Sequence, residues 1–242
     1  MKLDGSLVEA HTALAGISLR YDWNWPEAER EFKRAIELNP NYATAHHWYA
    51  LGLVSQERFD EAFVEIKQAQ ELDPLSLNIR TAVGTCFYYA RQYDRAIEQY
   101  KQTVEMDPNF ALGHEHLMYA YAAKGIPGEA VKEWERALTL SGESKLAASL
   151  ASGYERFGYR GAVRSYLKQV LQQSEGQYVS SLAIASFYAQ IGDNDQAVVW
   201  LERAFDERDS FLTFLKVYPV FDGLHSDTRF RDLVRRIGLR PL

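Results

Sequence analysis

Cysteine is nearly absent. The single thiol among 242 residues, Cys86, cannot close an intrachain disulfide, so the fold does not lean on an oxidising compartment. No run approaches the roughly 18 uninterrupted apolar residues that a membrane-spanning helix needs. The opening Met1-Lys2-Leu3-Asp4-Gly5 lacks the apolar core of a secretory signal. An excess of positive charge is also missing. With 27 Lys and Arg against 33 Asp and Glu the formal charge is −6, the wrong balance for a chain whose main business is neutralising phosphates. These absences predict a cytoplasmic chain with no nucleic-acid role and no membrane insertion. A periplasmic setting would follow if it formed part of a longer membrane-anchored regulator.

Catalytic signatures are lacking too. Neither G-x-x-x-x-G-K-[ST] nor G-x-G-x-x-G occurs, so no phosphate cradle is visible, and the serine elbow G-x-S-x-G and C-x-x-C pairs are absent. His114-Glu115 begins like a zinc-protease helix, but Met118 stands where the second histidine would have to be. His114 and His116, like the adjacent His46 and His47, point to different helix faces, so neither pair chelates a metal by itself. Paired carboxylates such as Glu27 and Glu29, or Asp193 and Asp195, fall at helix starts, where acids favour the helix dipole. The expectation is therefore no enzyme, no cofactor and no metal site. Cys86 reads as a packed, inert thiol. Arg229, Arg231, Arg235, Arg236 and Arg240 read as the solvated face of a terminal helix.

What is present is a globular composition, 47% apolar and 25% charged, organised by a repeat. Glu27-Ala28, Glu61-Ala62, Arg95-Ala96 and Glu129-Ala130 place their alanines 34 residues apart. Four residues after each alanine comes a large apolar group (Phe32, Ile66, Tyr100, Trp134), and three further on a small one (Ala35, Ala69, Thr103, Ala137). This i, i+4, i+7 spacing is one face of an α-helix. The first three such helices run into Leu38-Asn39-Pro40, Leu72-Asp73-Pro74 and Met106-Asp107-Pro108, where proline stops them. Asp60 and Asp94 are expected as N-caps and Pro26 as a first-turn residue. A preceding helix carries Ala15-Gly16, Tyr49-Ala50, Val83-Gly84 and Leu117-Met118 in register, so each unit is a helix hairpin.

This combination resembles the tetratricopeptide repeat (TPR), over roughly residues 9 to 209. The resemblance implies an all-α, right-handed superhelical solenoid of about six hairpins. Its units fall near 9–42, 43–76, 77–110, 111–143, 144–177 and 178–210. Two departures stand out: Met118 replaces a small residue in the fourth unit, and the fifth, with Leu150-Ala151, Tyr154, Ala162 and Tyr166, is one residue short in its turn. Ser6 and Glu9 have capping-box spacing at the start of the array. Residues 211–242 should add a short helix around Phe211, Phe214 and Leu215 and a capping helix. The capping helix carries the stripe Phe230, Leu233, Val234 and Ile237, closed by Gly238.

The runs Tyr21-Asp22-Trp23-Asn24-Trp25, Phe214 to Val217 and Asp227 to Phe230 resemble the C-terminal repeat regions of bacterial signalling proteins. There the repeats follow a kinase, a winged-helix domain or a nucleotide cyclase. In that case the chain is a fragment or stand-alone relative of a longer regulator.

In the repeat family the first helix of each unit lines the concave side. The family's inward positions fall here on Ile17, Tyr21, His47, Leu51, Thr85, Tyr88, Tyr89, Glu115 and Tyr119, predicted to form a peptide-binding groove. The lysine and asparagine of carboxylate-clamping relatives are missing: their places hold Ala13, His47, Thr81 and Glu115, and Ile17, Leu51, Thr85 and Tyr119. The implied function is a non-catalytic scaffold gripping a protein or peptide through an apolar and aromatic groove. Alternatives are a sensor region of a larger signalling protein or a self-assembly module.

Overall fold

A computed structural model describes residues 7–173 and 178–242. Among them there are helices and no strands. Six hairpins stack in chain order. The first pairs α1 (Val8–Ile17) with α2 (Trp25–Leu38), the second α3 (Ala43–Ser55) with α4 (Phe59–Leu72), and the third α5 (Leu77–Tyr89) with α6 (Tyr93–Met106). The fourth pairs α7 (Ala111–Lys124) with α8 (Pro127–Leu140), the fifth is α9 (Ser144–Gln173), and the sixth pairs α10 (Ser181–Ile191) with α11 (Asn194–Asp206). A π-helical turn, Ser18–Asp22, extends α1. After α11 come two 3-10 turns, Ser210–Phe214 and Pro219–Leu224, and then α12 (Thr228–Arg236). Residues 174–177, where the fifth unit was expected to end, and Ser6 of the expected capping box lie outside the described residues.

The repeated alanines are the hinges of the packing. Ala62, Ala96, Ala130, Ala162 and Ala197 are wholly buried, as are Phe32, Ile66, Tyr100 and Leu201. Small residues at these crossings let two helix backbones approach closely. At Gly84 the approach is tightest, because a Cβ there would lie 2.4 Å from Cε1 of Tyr100. Met118, in the place of a small residue, is itself fully buried.

Asp60 and Asp94 are not N-caps. Arg58 and Gln92 occupy those positions without a side-chain bond, and the aspartates sit inside the first turn, where they act on the helix dipole. Side-chain caps occur instead at Asn24, Ser76, Ser180, Asp193, Asp209 and Asp227. Pro26 does stand in the first turn of α2.

One position recurs in the turn inside each hairpin, and its backbone is left-handed. Trp23, Glu57 and Arg91 hold it in the first three units with φ of 52°, 60° and 62°. Gly125 and Gly192 hold it in the fourth and sixth, with φ of 80° and 82°. It is the helix-ending motif in which the next amide reaches back to the last turn, as from Arg58 to Leu53 O (3.0 Å) and from Gln92 to Phe87 O (2.9 Å). The fifth unit lacks one residue there. Its α9 stays nearly continuous and bends at Gly158, whose φ of 67° and ψ of −163° belong to a region that only glycine enters freely.

Successive units are also latched by side chains one repeat apart. His46 Nε2 donates to the Pro40 carbonyl (2.9 Å), Arg80 Nε to Pro74 (2.7 Å) and His114 Nε2 to Pro108 (3.0 Å). Each proline carbonyl thus gains a donor from the next unit. The Nδ1 atoms of His46 and His114 face Glu65 and Glu133, each at 2.6 Å. The Glu65 carboxylate, followed by the Pro40 carbonyl, raises the pKa of His46 against the opposing effect of burial.

An open array touches only its neighbours, but here the first and last units meet. The Trp23 ring packs on Phe205 of α11 at 5.1 Å, and the Arg208 guanidinium lies over Trp23 at 4.4 Å and donates to Tyr21 O at 3.2 Å. The buried face of α12 (Phe230, Leu233, Val234) covers the last apolar surface, with Ile237 just beyond it in the same core, which also contains Trp23. Gly238 sits against the indole of Trp25. The terminal arginines are largely neutralised by acids: Arg229 bonds Asp227 and Asp195, and Arg236 bonds Glu202.

Candidate interaction surface

The nine expected groove residues divide into two sets. Ile17 and Tyr21, on α1 and its π-helical extension, are open to solvent, 49% and 53% exposed. His47 and Leu51 on α3 are half-buried. Farther along, Thr85 and Tyr88 are buried, and Tyr89, Glu115 and Tyr119 are half-buried. The chain's own segment after α11 turns back over the array: its first turn, Ser210–Phe214, touches the π-helical turn and α3, and the rings of Phe214 and Tyr218 lie against Tyr88, Tyr89 and Tyr119.

Six consecutive residues of that segment, Leu212 to Val217, are buried. Phe214 stacks on Tyr89 with ring centroids 5.1 Å apart and planes 4° from parallel. Tyr218 presents ring edges to Tyr88, Tyr89 and Tyr119 at 6.3, 6.1 and 6.1 Å. Edge-to-face contact of this kind suits the charge distribution of aromatic rings. The one lysine of the buried run, Lys216, places its ammonium on the Glu57 carboxylate and donates to Pro241 O (3.1 Å). Arg91 donates to Val217 O (2.5 Å) and to Asp222 Oδ1 (2.6 Å).

Beside the segment a cleft of about 310 Å³ remains, lined by Tyr88, Tyr93, Tyr119, Tyr159, Gln190 and Asp222 among others. Sequence periodicity missed Phe214, Lys216 and Tyr218 as partners of the groove, and Glu57 and Arg91 as their anchors. The available signals were a lone lysine inside an apolar run and the 34-residue spacing of Trp23, Glu57 and Arg91.

The electrostatics of the face are those of a dry surface. Burial pushes His116, whose Nδ1 lies 3.3 Å from the Tyr100 hydroxyl, down to about 4. Burial, reinforced by the neighbouring Arg20, does the same to His47. The Glu115 carboxyl is raised by burial, an effect partly offset by the hydroxyl of Tyr119, which donates to it at 3.1 Å. Cys86 is fully enclosed and its thiol is pushed up to about 12, so it carries almost no thiolate. Among the described residues no cluster of His, Cys, Asp or Glu is arranged to hold a metal, and no helix is long and apolar enough to cross a membrane.

At the open end, Leu14, Ile17, Tyr21 and Phe211 are 37%, 49%, 53% and 55% exposed. The Arg20 guanidinium lies 5.8 Å from the Trp48 and Phe211 ring centroids, joining α1, α3 and the returning segment.

Two matched stretches, residues 14–76 and 84–145, fit the tetratricopeptide repeat model over just over half of the chain. The chain belongs to the tetratricopeptide repeat family. Solved structures agree on the fold of this TPR array. PilW, a widely conserved type IV pilus biogenesis factor, is 16% identical with a TM-score of 0.58, over 81% of this chain and 91% of PilW. Pseudomonas aeruginosa PilF is 14% identical with a TM-score of 0.52, over 95% and 97%. MamA of MSR-1 is 22% identical over 60% and 82%, with a TM-score of 0.46. For PilW and PilF the likeness is one of fold. Curated proteins give no match to this TPR chain. Fold and family together fit a protein-interaction role.

Proposed function

We propose that the chain is a non-catalytic scaffold that holds a segment of another protein at the open end of its concave face. The observation that carries this reading is the exposed apolar group Leu14, Ile17 and Tyr21, which follow one another at helical spacing, with Phe211 held near them by the Arg20 guanidinium. Large, stiff aromatic side chains with a polar tip are the groups that dominate protein interfaces. Thr85, Tyr88, Tyr89, Glu115 and Tyr119 belong, on this reading, to the same recognition surface. His47 and Leu51 join its two ends.

The test is a variant carrying Ile17→Ala, Tyr21→Ala and Phe211→Ala, titrated against the partner recovered with the wild-type chain. Binding at least tenfold weaker, with helicity and melting unchanged, is expected. Unchanged affinity would refute the placement. Alanine at Tyr88, Tyr89 and Tyr119 is a poorer test, because those rings support Phe214 and Tyr218.

The alternative reading, a sensor region of a larger bacterial kinase, transcription regulator or cyclase, draws on the sequence resemblance and on the filled part of the face, since an occupied site can be switched. The native reading frame upstream of Met1 separates the two. Light scattering tests self-assembly.

A further inference from the structure

Among the described residues, four that are not glycine have a left-handed backbone: Trp23, Glu57, Arg91 and Arg208. An L-residue is disfavoured there and persists where its surroundings require it. The fourth and sixth units use glycine at the same position. In the first three units the side chain is employed. Glu57 receives the Lys216 ammonium, Arg91 holds Val217 O and Asp222, and Trp23 packs on Phe205 beneath the Arg208 guanidinium. The array therefore presents an acid and a base exactly one repeat apart, and the returning segment answers with a base and an acid. Between them, Phe214 and Tyr218 fill the aromatic floor.

We propose that residues 210–224 are the resident ligand of the concave face, bound in cis. Glu57 and Arg91 are the residues that select this ligand, and a segment alternating apolar and aromatic groups around a lysine, with a carboxylate six residues on, is the chemistry the face recognises. Another protein segment reaches the ring surfaces that Phe214 and Tyr218 cover on Tyr89 and Tyr119 only after residues 210–224 leave. The inference concerns the filled part of the face. It holds whether or not a partner uses the open end.

Hydrogen exchange read by mass spectrometry on the full chain tests it. Glu57→Gly and Arg91→Gly relieve the backbone while removing the contact. Residues 212–222 should exchange at least tenfold faster in each variant, with α3 to α6 as protected as in the wild type. Lys216→Glu should behave likewise, and adding Glu57→Lys should restore protection. Where a single charge reversal fails to fold, the isosteric Glu57→Gln supplies the same comparison. Protection of 212–222 that is unchanged or stronger in the glycine variants would overturn the proposal, because the left-handed side chains would then be tolerated rather than used. Exchange that rises equally along the whole chain would also overturn it, since the segment would then be ordinary core. Protection that depends on protein concentration would show docking between two copies and overturn the cis assignment.

Discussion

The contact between Gly84 and Tyr100 makes a strong quantitative claim. A methyl group at Gly84 would stand 2.4, 2.6 and 2.9 Å from three carbons of the Tyr100 ring, whereas carbon atoms pack at about 3.5–4.0 Å. The ring has little room to retreat. It is wholly buried, and its hydroxyl lies 3.2 Å from Thr85 Oγ1 and 3.3 Å from His116 Nδ1. Overpacking of this kind costs roughly 1–3 kcal/mol, against a gain of up to about 1 kcal/mol from replacing a helical glycine by alanine. Gly84→Ala should therefore destabilise the chain by about 1 kcal/mol, lowering the melting temperature by about 2–4 °C. Gly52 is the internal control. Its added methyl would approach nothing nearer than 3.4 Å, so Gly52→Ala should be neutral or stabilising by up to about 1 kcal/mol. Urea unfolding followed by circular dichroism measures both. If Gly84→Ala were as stable as the wild type, or Gly52→Ala lost as much stability, close packing at this position would not be what selects glycine. In a Tyr100→Leu background the cost of Gly84→Ala should shrink, because the two changes act on one contact.

Two further predictions follow from the histidines and from the fifth turn. His46 has a raised pKa, so its contribution is full below the unfolded value near 6.5 and is lost as pH rises through the folded value; His46→Gln should flatten that alkaline decline in thermal unfolding. His47 and His116, lowered to about 4, act in the opposite sense, their contributions being full above about 6.5 and lost as pH falls towards 4. In an NMR titration at pH 6 these two rings should be neutral while His46 is charged. Gly158→Ala meets no atom within 4 Å, so its cost is that of the backbone alone, roughly 1–3 kcal/mol, visible as faster exchange around the bend in α9.

The hairpins were legible because each is local. Ala62, Ala96 and Ala130 recur at a fixed interval, and the proline after each of the first three units marks where a helix must stop. The capping stripe of Phe230, Leu233, Val234 and Ile237 could be read from its helical period in the same way. Helix starts were less legible: Asp60 and Asp94 resemble caps in sequence, but the backbone begins its helix two residues earlier. The candidate surface was half legible. Family positions select the residues that face inward, and nothing in a repeat's own 34 residues tells what lies on them. Phe214 meets Tyr89, and Phe205 meets Trp23, across contacts joining chain segments far apart. A periodic pattern encodes neighbours, so contacts between its first and last members have no signature in it.

The contact of Trp23 with Phe205 fixes how many repeats this protein can have. A linear solenoid can gain or lose a unit by duplication or deletion, and selection can tune its length without redesigning its ends. Here an added hairpin would carry Phe205, Arg208 and α12 away from Trp23 and Trp25, and a lost one would drive them into collision. The number six is thus held by geometry. Evolution of this chain would be expected to proceed by substitution within repeats, with changes at Trp23 and Phe205 accepted as a pair.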